Sequence, residues 1–223
     1  MHNSYRNLLS IQSEIKKDFY NVTDEFIVPN IIAVSKAFSL EHIAPLINAG
    51  HLHFGENKIQ EAEKKWTNIK KENSKIQLHF IGKLQTNKVK KAVKIFDYIH
   101  SLDNKKLALK LSQCQKELEK NLKYFIQVKF DENESKSGIN LDEVNNFYSY
   151  CTKELSLDII GLMCLPPINS NSQNYFRLIK QTAVNLNLNE LSMGMSGDFE
   201  QAILNGSTYL RLGTLILGKR KLI

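Results

Sequence analysis

At 223 residues, 42% of them hydrophobic and 24% charged, the chain is long enough to bury one substantial core, and it has no apolar run of the length that spans a bilayer. Its three cysteines, Cys114, Cys151 and Cys164, are an odd number without CxxC spacing, which argues against a disulfide framework or a zinc site and points to a reducing, cytoplasmic setting. The net charge of +7 and pI near 9.2 invite an acidic partner, but the densest basic cluster, GKLQTNKVKKAVK at 82–94, has no arginine and no aromatic side chain to stack a base. Its lysines read as a solvated helix face, and no nucleic acid or membrane partner is expected.

The first segment, MHNSYRNLLSIQSEIKKDFY, mixes charge with Leu and Ile at helical spacing and reads as an amphipathic helix rather than a signal peptide. After it, short apolar or β-branched runs recur: IIAVSK (31–36), HLHFGEN (51–57), IQLHFIG (76–82), YIHSL (98–102), YFIQVKF (124–130), LDIIGLM (157–163), ELSMG (190–194) and TYLRLG (208–213). Between them lie amphipathic segments such as LEHIAPLINAG, KIQEAEKKWTNIKK and SQNYFRLIKQTAVNL, with Gly50 and Gly206 placed where helices end. Eight strands alternating with helices make a parallel sheet, and eight such units are what a closed (β/α)8 TIM barrel requires. The competing open, doubly wound sheet carries a glycine fingerprint after its first strand, and AVSKAFSLEH has no glycine. LPPINSNSQN (165–174) is a long-loop candidate, but no linker divides the chain, so residues 1–223 are expected to form a single barrel domain with an extra N-terminal helix.

In such a barrel, function belongs at the C-terminal ends of the strands. The polar groups there are Lys36, then Glu56 and Asn57, Lys136 in a loop, Ser192 and Ser196, and finally Arg211, Gly213 and Thr214. The last two loops are informative. SMGMSGDFEQAI brings Gly194, Ser196 and Gly197 to the start of a short helix, and RLGT adds a glycine beside a hydroxyl. Either loop alone reads as ordinary turn and capping residues; both at the position where barrels bind phosphate favour an anion cup.

Alternation puts Ile32, Val34 and Lys36 on one strand face, and Tyr209, Arg211 and Gly213 on one face of the last strand. If those faces look inward, an amine, a guanidinium and a phosphate cup meet at one mouth. Pyridoxal 5'-phosphate (PLP) needs all three: its aldehyde condenses with a lysine, its phosphate takes the cup and its ring nitrogen meets a protein group. From residue type alone, a lysine at a strand end serves equally well as a surface cap.

Seven stretches then resemble the YggS/PROSC-type PLP homeostasis proteins: AVSK (33–36), FGEN (54–57), HFIGKLQTNK (79–88), DENESKSGI (131–139), GLMCLPP (161–167), LSMGMSGDFEQAI (191–203) and RLGTLILG (211–218). They run in family order over nearly the whole chain. The resemblance implies an alanine racemase N-terminal-domain-like barrel that holds PLP as an aldimine on Lys36, with Arg211 facing the ring nitrogen, Ser196, Gly213 and Thr214 on the phosphate, and Asn57 beside the ring. It further implies PLP homeostasis without established turnover, with no catalytic residue, and PLP-dependent apo-enzymes as recipients of the cofactor. A monomer is expected. The alternative is a PLP-dependent amino-acid racemase or lyase on a minimal barrel. Against it, a racemase needs a second acid/base, which in the resembling enzymes is a tyrosine from a further domain, whereas this chain ends soon after its eighth strand.

The chain departs from the family pattern at several places, including AFSLEHI after Ser-Lys, Gly197 where an acidic residue or asparagine is usual, and Lys129 where asparagine is expected. Lys129 either repels the site's other cations or points outward. Lys136 is a candidate way-station amine for the cofactor. His51, His53 and His79 could meet at a metal, but without a carboxylate at a recognised spacing no metal is expected. The cysteines read as buried apolar residues, and Trp66 as packed on the barrel with Ile59, Ala62 and Ile69.

Overall fold

A computed structural model describes residues 3–19, 27–130, 137–167 and 170–219. In chain order the elements are α1 (Asn3–Phe19), β1 (Asn30–Val34), α2 (Leu40–Asn48), β2 (His53–Glu56), α3 (Ile59–Glu72), β3 (Gln77–Phe80), α4 (Val89–Ile95), β4 (Tyr98–Leu102), α5 (Lys105–Glu117), β5 (Lys123–Lys129), β6 (Ile139–Asn140), α6 (Val144–Ser149), β7 (Asp158–Cys164), α7 (Ser172–Asn185), β8 (Glu190–Met195), α8 (Phe199–Leu204), β9 (Tyr209–Leu212) and α9 (Thr214–Leu217).

All strand pairings are parallel. Neighbours run β1-β2-β3-β4-β5-β7-β8-β9, and β9 returns to β1 with Ile32 opposite Arg211, so the sheet closes on itself. The eight strands expected from sequence are the eight staves of this barrel. The two-residue β6, which sequence reading missed, is an addition: it pairs only with Val128 and Lys129 at the end of β5.

Two apolar clusters hold the barrel together. The larger lies between the strands' outward faces and the helices. Trp66 of α3 is fully buried there with Ile59 and Ala62, its ring 4.7 Å from that of Phe54. Truncating such a side chain to alanine costs about 3–5 kcal/mol. The smaller cluster fills the axis and contains Ile32, Tyr98, Phe125, Met163 and Tyr209. Period-2 alternation accounts for the division, with Ile32 inward while Ile31 and Ala33 pack outward.

Helix α1 buries Leu8, Ile11, Ile15 and Phe19, one stripe at helical spacing, and lies against α9 and α2. An Asn7 side-chain N–H donates to the Ile216 carbonyl at 3.0 Å. Asn104 caps α5 by accepting from Leu107 N–H at 2.8 Å, which satisfies a donor the first turn would leave open. Within the lysine-rich segment, Lys90 pairs with Glu117, and Lys91 with Glu63 at 3.2 Å, as expected for a solvated helix face. Among the described residues no helix is long and apolar enough to cross a membrane.

Candidate functional site

Arg211 is the most unusual residue of the barrel interior. Leu210 and Leu212 pack outward, so strand alternation turns Tyr209 and Arg211 to the axis. The guanidinium is almost wholly buried, at 5% exposure, and crosses two neighbouring strands. Nη1 donates to the Ser192 carbonyl and to Ser192 Oγ, both at 2.6 Å, and Nη2 donates to the Cys164 carbonyl at 2.8 Å. Three of its five N–H groups are thereby used. No described carboxylate forms an ion pair with it. Burial pulls its pKa below the ordinary value, but a guanidinium remains charged.

Lys36 stands at the same end of the barrel, one strand away. β1 ends at Val34, so Lys36 lies in the following turn and not on the strand as sequence reading had it. It is half-buried, and Ala37 follows it at φ +64°, a left-handed conformation uncommon for a residue with a Cβ. The expected inward set survives in part. Ile32 belongs to the axial cluster, and Val34 lies against the position where Gly213 would carry a Cβ.

The two glycine-bearing loops differ in why they contain glycine. Gly194 is required by the fold: its φ is +89°, and a Cβ would come within 2.5 Å of Ala202 Cβ. Gly197 has an ordinary φ and nothing within 4 Å of a Cβ, and at Gly213 a Cβ would meet Val34 at 3.5 Å, an ordinary contact. Neither is demanded by local geometry. Ser196 is half-buried and Thr214 exposed, and Asp198 Oδ1 closes the β8 turn by accepting from Met195 N–H at 2.6 Å. Burial thus separates Ser196, Gly213 and Thr214 at the rim from Arg211 beneath. Asn57 follows β2, half-buried, in a pocket shared with Phe80, Lys83 and Lys88.

Three residues named from sequence are placed differently. Glu56 does not face the mouth. Phe54 and Glu56 share the outward face of β2, and Glu56 Oε1 accepts from Ser35 Oγ, Lys65 Nζ and Trp66 Nε1 at 2.8, 2.8 and 3.0 Å. Ser192 is inside β8 rather than after it, and supports Arg211. Lys129 shares strand parity with Phe125, and lines a pocket with Gln127, Ser137, Leu165 and Pro167. Lys136 lies outside the described residues.

Sequence reading also missed how the histidines are arranged. His53 Nδ1 is 3.0 Å from His79 Nε2, His79 Nδ1 is 2.9 Å from His100 Nε2, and His100 Nδ1 is 2.8 Å from Ser192 Oγ. These nitrogens bond along a chain instead of converging on one point. His51 stays outside it and bonds the His53 carbonyl at 2.9 Å. The available signal was parity: all three rings of the chain stand on inward positions of consecutive strands.

The family profile described as "Alanine racemase, N-terminal domain" matches residues 14–221. A Synechocystis sp. protein named "Pyridoxal phosphate homeostasis protein" is 39% identical over 199 residues, spanning 85% of this chain and 91% of that one. An Aquifex aeolicus protein of the same name is 37% identical over 203 residues, spanning 86% and 87%. Among solved structures, PipY of Synechococcus elongatus with PLP bound superimposes with a TM-score of 0.84 at 32% identity, covering 96% of this chain and 100% of that one.

Proposed function

We infer the function from a premise of kinship: the chain belongs to the alanine racemase N-terminal-domain family, among the pyridoxal phosphate homeostasis proteins. On this reading it binds PLP at the C-terminal mouth of the barrel and takes part in holding free PLP in check. One observation carries the reading: Arg211 is buried without a carboxylate partner among the described residues, with N–H groups left beyond its three hydrogen bonds. A buried cation is costly unless something complements it. The pyridine nitrogen accepts from such an N–H, and the cofactor's phosphate brings negative charge to the rim above it.

The residues divide the cofactor between them. Lys36 would hold the cofactor through its Nζ, the amine that the aldehyde calls for, with one water released. Ser196, Gly213 and Thr214 hold the phosphate through hydroxyl and backbone groups, the glycines allowing close approach. Asn57 would stand beside the ring. Bound PLP supplies an electrophilic carbon and an electron sink. Arg211 cannot release its proton to the ring nitrogen, so that nitrogen stays unprotonated and the sink is weak. This favours storage and transfer over demanding carbanion chemistry, with no turnover of its own. The protein acts as a single domain over residues 1–223, as a monomer in the cytoplasm, passing PLP to apo-enzymes.

The test is an absorbance spectrum of the protein with PLP, before and after borohydride reduction, followed by peptide mapping. A near-visible band that collapses on reduction and leaves phosphopyridoxyl on Lys36, absent in Lys36→Ala, is expected. A protein that stays colourless with added PLP overturns the reading. Turnover is tested separately, because a racemase or lyase exchanges the α-hydrogen of an added amino acid with deuterated water at a rate that depends on Lys36.

A further inference from the structure

The chain of side chains beneath Arg211 runs the depth of the barrel. His53 opens β2 and borders a pocket at the N-terminal pole with Lys16 of α1, Asn30 at the start of β1, and His51. His79 and His100 are fully buried along the axis, and Ser192 joins them to the guanidinium at the opposite end. We propose that His53, His79 and His100 are positioning residues forming a one-way hydrogen-bond relay, which orients the Ser192 hydroxyl and through it Arg211, and couples the mouth to protonation of His53 at the far pole.

Donor inventory sets the direction. Arg211 has no lone pair to offer, so it donates to Ser192 Oγ. The Ser192 hydroxyl then has one proton of its own, and its remaining partner is His100 Nδ1 at 2.8 Å. That nitrogen must therefore be the unprotonated one. A neutral His100 carries its proton on Nε2 and donates to His79 Nδ1; His79 in turn donates from Nε2 to His53 Nδ1. Every ring is a neutral Nε2–H tautomer, and each donor from Arg211 Nη1 through Ser192, His100 and His79 has an acceptor. The reversed register would make His100 donate to Ser192 Oγ, leaving that buried hydroxyl proton without an acceptor. One unsatisfied buried donor disfavours the reversed register by roughly fivefold or more.

Neutrality is supported by the surroundings. Burial, first of all, lowers the pKa of all three rings; neighbouring histidines and Lys70 add to this at His79, and Arg211 adds to it at His100. Asp97 opposes the shift at His53 and is itself paired with Lys70 of α3. His51 and Lys16 face the same pocket as His53, while Tyr98, with Lys123 over its ring, and Tyr209 pack on the array from β4 and β9. The acidic Glu190 of β8 acts on Tyr209.

The coupling follows from the one free site on each ring. His53 gains its second proton on Nδ1, where His79 now donates, so charging it forces His79 and then His100 to move their protons from Nε2 to Nδ1. The Ser192 hydroxyl then receives both His100 and Arg211, and its own proton loses its acceptor. Acid at the N-terminal pole is thereby felt at the guanidinium.

Nitrogen-15 NMR of the histidine side chains in the full chain without cofactor reads this directly. At neutral pH, His53, His79 and His100 are expected as Nε2–H tautomers, exceeding the other form by roughly fivefold or more. As the pH falls below 6.5, the ordinary imidazole value, His79 and His100 should invert together with the charging of His53. In His53→Phe, which retains an aromatic ring at this half-buried position, both should stay Nε2–H over the same range. An Nδ1–H or charged His79 or His100 at neutral pH overturns the relay, as does an inversion unaffected by His53→Phe. The consequence for the mouth rests on the PLP reading: the near-visible band should respond to acid with the same midpoint, and lose that response in His53→Phe. Nε2–H tautomers in a protein that refuses PLP sink the cofactor reading and leave the relay standing, whereas mixed tautomers in a protein that binds PLP do the reverse.

Discussion

Two buried charges, on strands to either side of β1, are treated in opposite ways. Glu56, on the outer face of β2, is wholly buried, but Lys65 supplies an opposite charge and Ser35 and Trp66 supply hydrogen bonds. Arg211, on the inner face of β9, receives only dipoles: two carbonyls and a hydroxyl. The first charge finds its counter-ion within the protein, its partners among the described residues all meeting Oε1 while Oε2 is buried without one, and it ties α3 to the barrel wall. The second keeps donors in reserve at the end where barrels bind ligands. A buried charge that the chain itself pairs with a counter-ion is architecture, and one that has only dipoles among the described residues at a mouth is an invitation to a ligand.

The widest break in this comparison comes from acid, which attacks the neutral histidines beneath Arg211. His79 and His100 have folded pKa values well below 6.5, because burial disfavours the charged ring. Below pH 6.5 the unfolded chain binds protons that the folded one refuses. Their contribution to stability is therefore complete above 6.5 and is lost as the pH falls toward the lower folded values, at about 1.4 kcal/mol per pH unit for each ring. Denaturant titrations at stepwise lower pH should show this slope, and His100→Phe should reduce it.

Substitution separates the two charges next. Glu56→Ala strands the Lys65 ammonium and the Trp66 N–H, and is expected to cost about 3–5 kcal/mol in denaturant unfolding. Arg211→Met removes a buried charge together with its bonds. It should cost less than about 2 kcal/mol, because relief from desolvation offsets the lost partners, while PLP binding drops and its spectrum shifts. Equal destabilisation by the two variants would erase the distinction between an ion-paired charge and one held by dipoles alone.

The smallest contrast lies among the mouth glycines. Gly194→Ala forces a Cβ against Ala202 at a left-handed position and should cost more than about 1 kcal/mol. Gly213→Ala should leave stability within about 0.5 kcal/mol. It should nevertheless weaken the binding of PLP or of inorganic phosphate about tenfold, through about 1.4 kcal/mol of lost approach, as read by calorimetry.

Period and punctuation were legible in the chain itself. The apolar runs, their spacing and the helical patterns between them give eight parallel staves, and alternation groups Ile32 with Lys36 and Arg211 with Tyr209, because a strand's side chains must point alternately to its two faces; the structure decides that these faces look inward. The same rule applied to HLHFGEN would have put Glu56 outward with Phe54. A polar residue near a strand end does not by that alone face the mouth, and Glu56 is drawn outward by Ser35, Lys65 and Trp66. What required the tertiary structure was adjacency between strands. The stagger of a closed barrel determines which inward positions of β2, β3, β4 and β8 touch, so no spacing along the chain reveals that three histidines and Ser192 form one line to Arg211. Space is decided there too. Gly194, Gly197 and Gly213 look alike in sequence, and only the atoms packed around them show that the first is demanded by the fold and the other two are not.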